Sequence, residues 1–115
     1  MHRTVIHLNE ADPAKIQAVL QNTSNLFTAL GEEGLQAELV AHGPGITVTT
    51  ATLAGAFTGP LDDLMSRGLV VCACRNTMTA KGLSSTDLLE GVTIVDSGVA
   101  HLVTRQGQGW SYLRP

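Results

Sequence analysis

Residues 69–74 carry the sequence LVVCAC, and this run constrains the fold more than any other segment of the chain. It is almost continuously apolar, as expected of a strand that is buried on both of its faces. Such strands are typical of parallel sheets, in which helices cover both sides. The run therefore predicts an α/β domain in which this segment is the central strand.

Strand and helix patterns alternate along the rest of the chain. Asp12-Pro13 predicts a helix start, because an N-cap aspartate precedes a first-turn proline, and apolar residues then recur every three or four positions up to Gly31. Ser84 to Asp87 match a capping-box pattern. The predicted strands are residues 3–8, 35–41, 69–74, 92–95 and 110–113. The predicted helices are 13–30, about 61–67, 77–81 and a last one that is capped by Asp96-Ser97 and ends at Gly107 or Gly109.

Five strands alternating with about four helices predict a three-layer αβα sandwich around a five-stranded, mainly parallel sheet. A chain of 115 residues supports one core, so residues 1–115 are expected to form a single domain. Residues 46–59 combine threonines that favour a strand with an alanine-containing turn that favours a helix, and we expect an irregular loop there.

Composition excludes several classes of partner. The net charge is −3 and the seven basic residues are scattered, whereas a nucleic-acid-binding domain normally shows a basic stripe. The apolar runs are far shorter than a bilayer requires, so no membrane association is expected. The N-terminal residues do not follow the pattern of a signal peptide, and two cysteines form no secreted disulfide framework. The expected compartment is the cytoplasm.

Ligands of parallel α/β sheets bind beyond the carboxyl ends of the strands. The candidate positions in this chain are therefore Asn9-Glu10, His42-Gly43, residues 74–76 and Asp96-Ser97. No phosphate-binding or nucleotide-binding glycine motif follows the first strand, so no cofactor is expected. Gly43 lies in a Gly-Pro-Gly turn, which either brings backbone close to an anion or simply reverses the chain.

Cys74 is the main candidate for chemistry. It is predicted to end the central strand just before a short helix, residues 77–81, whose expected N-cap is Asn76. The N–H groups and positive dipole end of a helix N-terminus favour a thiolate, and Arg75 adds a positive charge. Two interpretations stay open, a reactive thiol and a small buried apolar side chain.

Cys72 and His42 are the secondary candidates. Cys72 is two residues from Cys74 on the same strand, so it points to the same face, and it is either structural or a resolving thiol. His42 follows the second strand and could pair with the Cys74 thiolate or orient a ligand. Although Cys72, Cys74 and His42 could meet, no second paired-ligand motif completes a zinc site, and no metal is expected.

Several segments in this order resemble proteins of the DsrE/DsrF-like family, small α/β domains associated with intracellular sulfur relay. The resemblance covers nearly the whole chain. It rests on residues 22–26 (NTSNL), 40–43 (VAHG), 68–77 (GLVVCACRNT), 91–95 (GVTIV), 97–100 (SGVA) and 106–113 (QGQGWSYL).

The resemblance implies a five-stranded αβα sheet, assembly as a homotrimer or hexamer, and a protein that donates or accepts sulfur as a partner. In sulfur-relay members, a cysteine at this strand end accepts a persulfide and is followed by a short helix and a glycine, which Cys74 and Gly82 match. Residues 75–78 (RNTM) depart from the small apolar residues typical after the relay cysteine. Arg75, Asn76 and Thr77 are therefore expected to line the pocket around Cys74 with polar groups.

Three hypotheses for function follow. The first is a sulfur carrier or sulfurtransferase accessory that holds a persulfide on Cys74, with His42, Arg75 and Asn76 shaping its pocket. The second is a module that binds a small molecule or supports assembly, in which Cys74 only lines the pocket. The third is a redox sensor that uses Cys72 with Cys74. Whether the protein is an enzyme is left open by all three.

Overall fold

The computed structural model describes residues 1–115 and contains the alternation of strands and helices that the sequence predicts. The strands are β1 (His2–Leu8), β2 (Leu35–Ala41), β3 (Val70–Cys74), β4 (Thr93–Val95) and β5 (Ser111–Leu113). The helices are α1 (Pro13–Leu30), α2 (Thr58–Ser66), α3 (Arg75–Lys81) and α4 (Gly98–Gly107). Short 3-10 turns cover Gly43–Thr49, Gly55–Phe57 and Ser85–Asp87. None of the helices combines the length and hydropathy that a membrane span needs.

The five strands form one sheet in the order β4-β3-β2-β1-β5, and every pair is parallel. The predicted α/β class with a five-stranded parallel sheet is therefore confirmed. The prediction that residues 69–74 form the central strand is wrong, since β2 occupies the middle of the sheet and β3 lies between β2 and the edge strand β4. β3 looked more central because β2 carries polar side chains at Gln36 and Glu38.

Helices lie on both faces of the sheet. On one face, α1 and α2 bury Val19, Phe27 and Leu61 against apolar strand residues. On the opposite face, α4 buries Leu102 against one side chain from each of three adjacent strands, Val5, Val40 and Cys72. We refer to this second side of the sheet as the α4 face. The predicted three-layer arrangement is confirmed, with unequal cover on its two sides.

The start of α3 differs from the sequence prediction. The helix begins at Arg75 rather than at Thr77, and its N-cap residue is Cys74 rather than Asn76. The reason is that β3 runs into α3 without any connecting residue. Gly82 ends the helix in the left-handed conformation, with φ of 69°.

Residues 46–59 are more regular than the expected loop. The turn Gly43–Thr49 continues from the end of β2, a second turn covers Gly55–Phe57, and α2 already begins at Thr58. The threonines that favoured a strand instead bond locally: the Thr49 hydroxyl donates to the Ile46 carbonyl at 2.7 Å, and the Thr50 hydroxyl donates to the Thr47 carbonyl at 2.9 Å. Local side-chain bonds of this kind compete with strand pairing.

Gly45 fixes how the first of these turns packs on β1. A Cβ atom at this position would overlap the backbone carbonyl of Leu8, the last residue of β1. Because the contacting atom is the backbone carbonyl oxygen of Leu8, it cannot rotate away as a flexible side chain could. The close approach holds the turn after β2 against the carboxyl end of β1.

We therefore expect Gly45→Ala to lower the free energy of unfolding by about 2 kcal/mol or more, as overpacking does. Gly107→Ala is the matched control, because Gly107 is helical and no atom lies within 4 Å of the position of its Cβ. Alanine at position 107 should raise the free energy of unfolding by about 0.5 kcal/mol, because it lowers the conformational entropy of the unfolded chain. Urea denaturation of the two variants measures both effects. Equal stabilities would contradict the proposed close packing.

Candidate functional site

Four chemically active side chains lie in a row across four adjacent strands, at the carboxyl edge of the α4 face. They are Cys74 on β3, His42 directly after β2, His7 on β1 and Tyr112 on β5. The alternation of side chains along a strand explains the shared face. Cys72, Val40 and Val5 pack under α4. Each of the three site residues lies two positions further along the same segment, Cys74 after Cys72, His42 after Val40 and His7 after Val5. Tyr112 pairs in register with Val5.

Cys74 lies where two helices begin. It is the N-cap residue of α3, and α4 starts at Gly98. A Cβ on Gly98 would be 3.3 Å from the Cβ of Cys74 and 3.2 Å from that of His42. Only a residue without a side chain fits this contact easily. Gly98 thereby brings the N-terminus of α4 against the thiol.

The environment of Cys74 favours its thiolate. Burial, with 4 % of the residue exposed, by itself raises the thiol pKa. Hydrogen bonding from the backbone N–H of Gly98, and from the N–H and hydroxyl of Thr77, lowers it. The N–H of Asn76 acts in the same direction. These donors outweigh burial, so the pKa of Cys74 lies below its ordinary value.

Thr77 connects Cys74 to the end of β2. Its Oγ1 accepts a hydrogen bond of 2.9 Å from the backbone N–H of Gly43. The same hydroxyl contributes to the lowered pKa of the Cys74 thiol. Gly43 has φ of 55°, a left-handed conformation that glycine adopts without strain. Gly43 and Thr77 thus support the thiol together.

Arg75 and Asn76 act differently from the sequence expectation. The Arg75 Nε pairs with Asp96 Oδ1 at 3.5 Å, and this exposed ion pair does not contribute to the lowered pKa of Cys74. Asn76 is not the cap of α3 and instead supplies its backbone N–H. The positive potential at the thiol therefore comes from backbone dipoles rather than from the neighbouring guanidinium.

Cys72 has the opposite character, although it lies on the same strand and face. It is buried under α4 with Val40 and Leu102. Burial, reinforced by the negative charge of Glu38, raises the pKa of its thiol to about 12, and Arg105 offsets only part of this. Cys72 therefore stays protonated at neutral pH. Both cysteines are free thiols.

His42 binds a second histidine. Its Nε2 lies 2.5 Å from Nε2 of His7, and the two rings stack with centroids 4.7 Å apart. The Nδ1 of His7 lies 2.6 Å from the hydroxyl of Tyr112. Since His7 occupies Nε2 of His42, any pairing of His42 with Cys74 has to use Nδ1. The structure thus adds two residues, His7 and Tyr112, to the site.

A buried polar cluster beside this site holds α4 on the sheet. Both carboxylate oxygens of Glu38 accept from Arg105, at 2.9 and 3.0 Å, and Oε1 also pairs with His101 Nε2 at 2.7 Å. The Arg105 hydrogen bonds and those of His101 outweigh burial and lower the pKa of Glu38. Glu38, Cys72 and His101 are close enough to share a metal ion. However, the donor set does not suit a cation, because the guanidinium of Arg105 already binds both oxygens of Glu38.

The sequence matches the model of the DsrE/DsrF-like family over residues 6–115. The chain belongs to the DsrE/DsrF-like family. It is similar over the full length of both chains to MTH1491 of Methanobacterium thermoautotrophicum, a protein of unknown function, with 38% identity and a TM-score of 0.94. It also shares its fold with the ychN protein of E. coli, with 16% identity, a TM-score of 0.76 and coverage of 99% and 98% of the two chains. No curated protein matches the sequence.

Sequence reasoning missed three residues of this candidate site. Gly98 follows the N-cap Ser97, and its closeness to Cys74 depends on the placement of α4. His7 and Tyr112 are 105 residues apart in the chain and meet only because β5 pairs with β1. The available signal for His7 was its position one residue before the strand end, on the same face as the buried Val5.

The arrangement predicts the titration of Cys74. Its alkylation midpoint, measured on Cys72→Ala, should lie below that of a peptide thiol, about 8.5. Thr77→Val removes the hydroxyl donor and should raise the midpoint, whereas the control Thr77→Ser keeps the donor and should leave it nearly unchanged. Alkylation rates against pH measure all three proteins. A midpoint at or above the peptide value would show an inert, buried cysteine.

Proposed function

We propose that the protein is a carrier in an intracellular sulfur relay and holds a persulfide on Cys74. The observation that carries this proposal is the convergence of donors from two helix starts on one thiol, which lowers its pKa. Membership of the DsrE/DsrF-like family supports it, since Cys74 and Gly82 match the relay pattern.

The proposed chemistry needs an anionic sulfur twice. The Cys74 thiolate first attacks the outer sulfur of a donor persulfide, the donor S–S bond breaks, and the donor leaves as a thiolate. The persulfide of Cys74 is then the anion that the N–H groups of Gly98, Asn76 and Thr77 stabilise. An acceptor thiolate later takes the outer sulfur and returns Cys74 as a thiolate. Both partners are proposed to be thiol-containing molecules or proteins.

The environment of Cys72 argues against a redox sensor built on both cysteines. A resolving cysteine has to ionise in order to attack its partner, and the pKa of Cys72 is about 12. Cys72 is also buried under α4. We therefore assign Cys72 to the core. A reduced Cys74 also fits the cytoplasm as the compartment in which the protein works.

Mass spectrometry after incubation with inorganic polysulfide tests the proposal. We expect the wild-type protein and Cys72→Ala to gain one sulfur atom that dithiothreitol removes, and Cys74→Ala to gain none. Cys72→Ala is the matched control because it removes the other thiol two residues away on the same strand. Failure of Cys72→Ala to take up sulfur would contradict the carrier function. The site would then be assigned to the binding of a small molecule.

We further propose that the chain assembles as a homotrimer or hexamer, in line with the family resemblance. The outer side of α4 carries two exposed valines one helical turn apart, Val99 and Val103, with 57% and 66% of their surfaces accessible. Paired apolar side chains of this kind favour an interface over solvent.

Light scattering at micromolar concentration should therefore give about three or six times the mass of the 12.1 kDa chain. Val103→Glu should shift the mass toward the monomer, because a charge would be buried in the interface. Leu53→Glu is the control, since Leu53 is similarly exposed at 61% but is not part of α4 and lies between two of the 3-10 turns. A stable wild-type monomer would refute the assembly.

A further inference from the structure

His42, His7 and Tyr112 form one continuous chain of hydrogen bonds that leads away from Cys74. The chain runs from His42, which packs against Gly98 beside Cys74, to the half-exposed Tyr112 on the edge strand β5. All four ring nitrogens and the phenol belong to groups that can both give and take a proton. If His42 served only to pair with the Cys74 thiolate, it would not need to be hydrogen-bonded to two further proton-carrying side chains.

The contact between the two imidazoles requires one proton shared between two nitrogens. Each Nε2 faces the other at 2.5 Å, so one of them donates and the other accepts. When His42 donates, His7 carries its second proton on Nδ1 and donates to the Tyr112 oxygen. Nδ1 of His42 is then unprotonated and available as a base. When the shared proton moves to His7, the Nδ1 proton of His7 passes to Tyr112, whose own proton passes to water.

The charges around the chain favour neutral imidazoles. Burial, then His42 and then Arg114 lower the pKa of His7, and burial lowers the pKa of His42. The titratable groups on neighbouring strands that face the two histidines are Cys74 on β3 and Tyr112 on β5. On α4, His101 and Arg105 are bound to Glu38, and Arg75 on α3 pairs with Asp96. At neutral pH the two histidines are therefore able to accept a proton.

We propose that His42, His7 and Tyr112 are a proton relay that accepts the proton of the incoming acceptor thiol during sulfur transfer from Cys74. This inference rests on the proposed carrier function. His42 is the group that meets the thiol, and His7 and Tyr112 are positioning residues that pass the proton on to solvent.

The transfer step balances without an oxidant or a reductant. The acceptor thiol gives its proton to Nδ1 of His42, and its sulfur attacks the outer sulfur of the Cys74 persulfide. One S–S bond forms between acceptor and outer sulfur, and the S–S bond to Cys74 breaks. The electron pair of the broken bond goes to Sγ of Cys74, where the N–H groups hold the thiolate.

Comparing two sulfur acceptors tests the proton relay separately from the sulfur-transfer step. Glutathione is largely protonated at mildly alkaline pH and has to lose a proton, whereas sulfite is already ionised there and takes the outer sulfur as thiosulfate. Protein loaded with polysulfide and freed of excess is mixed with either acceptor, and the loss of sulfur from Cys74 is followed by mass spectrometry in a single turnover.

We expect His7→Ala to slow transfer to glutathione by about 100-fold, the size of general-base effects, and to leave transfer to sulfite at the wild-type rate. Added imidazole should restore part of the glutathione rate. Tyr112→Phe keeps the ring and removes only the hydroxyl, so it tests the relay even if His7→Ala folds poorly. It should slow transfer to glutathione, by less than His7→Ala does, and leave transfer to sulfite unchanged. His2→Ala is the matched control, an exposed histidine on the same strand.

Failure of the relay and failure of the carrier function give different results. If wild-type protein takes up no sulfur on Cys74, the carrier function is wrong and the relay falls with it. If the protein loads and unloads normally, but His7→Ala and Tyr112→Phe give glutathione the sulfur at the wild-type rate, only the relay is wrong. Equal slowing with glutathione and sulfite would also refute it, because that result indicates a structural role.

Discussion

Cys74 ends β3 and caps α3, with no residue between the strand and the helix. This direct junction places the first-turn N–H groups of α3 against the thiol of the strand's last residue. The N-terminus of α4 approaches the same thiol from the other side, because Gly98 has no Cβ to keep it away. A buried sulfur would otherwise be hard to ionise, and it is the two helix starts together that reverse the effect of burial.

The position of α4 depends in turn on a buried ion network. Glu38, in the middle strand β2, binds Arg105 through both carboxylate oxygens and also binds His101. Arg105 additionally stacks over the ring of Trp110, with 4.7 Å between Cζ and the ring centroid. These contacts hold α4 on the sheet through His101 in its first half and Arg105 in its second half, and the N-terminal residue Gly98 is thereby held at the thiol. The same helix therefore connects the ion network to the candidate site.

The two cysteines show how strongly the surroundings decide the chemistry of identical side chains. Cys72 and Cys74 share a strand and a face, yet the thiol pKa is raised to about 12 in one and lowered in the other. Cys72 lies within the sheet, where the strand amides are occupied by ladder hydrogen bonds and the carboxylate of Glu38 further raises the thiol pKa. Cys74 lies at the strand end, where helix amides are free to act on it.

The sequence by itself determined the elements and the fold class. The apolar run of residues 69–74, of which all but the exposed Val70 are buried, the Asp12-Pro13 helix start and the strand–helix alternation are local patterns. Each reflects the preference of nearby residues for one backbone conformation. The same reasoning placed Cys74 and His42 at the carboxyl edge, since that edge follows from a parallel sheet. Only the tertiary structure decided which groups surround the thiol, because Gly98, His7 and Tyr112 reach the site through strand order and helix packing between segments far apart in the chain. A period of two or of 3.6 residues carries no information about such distant pairings.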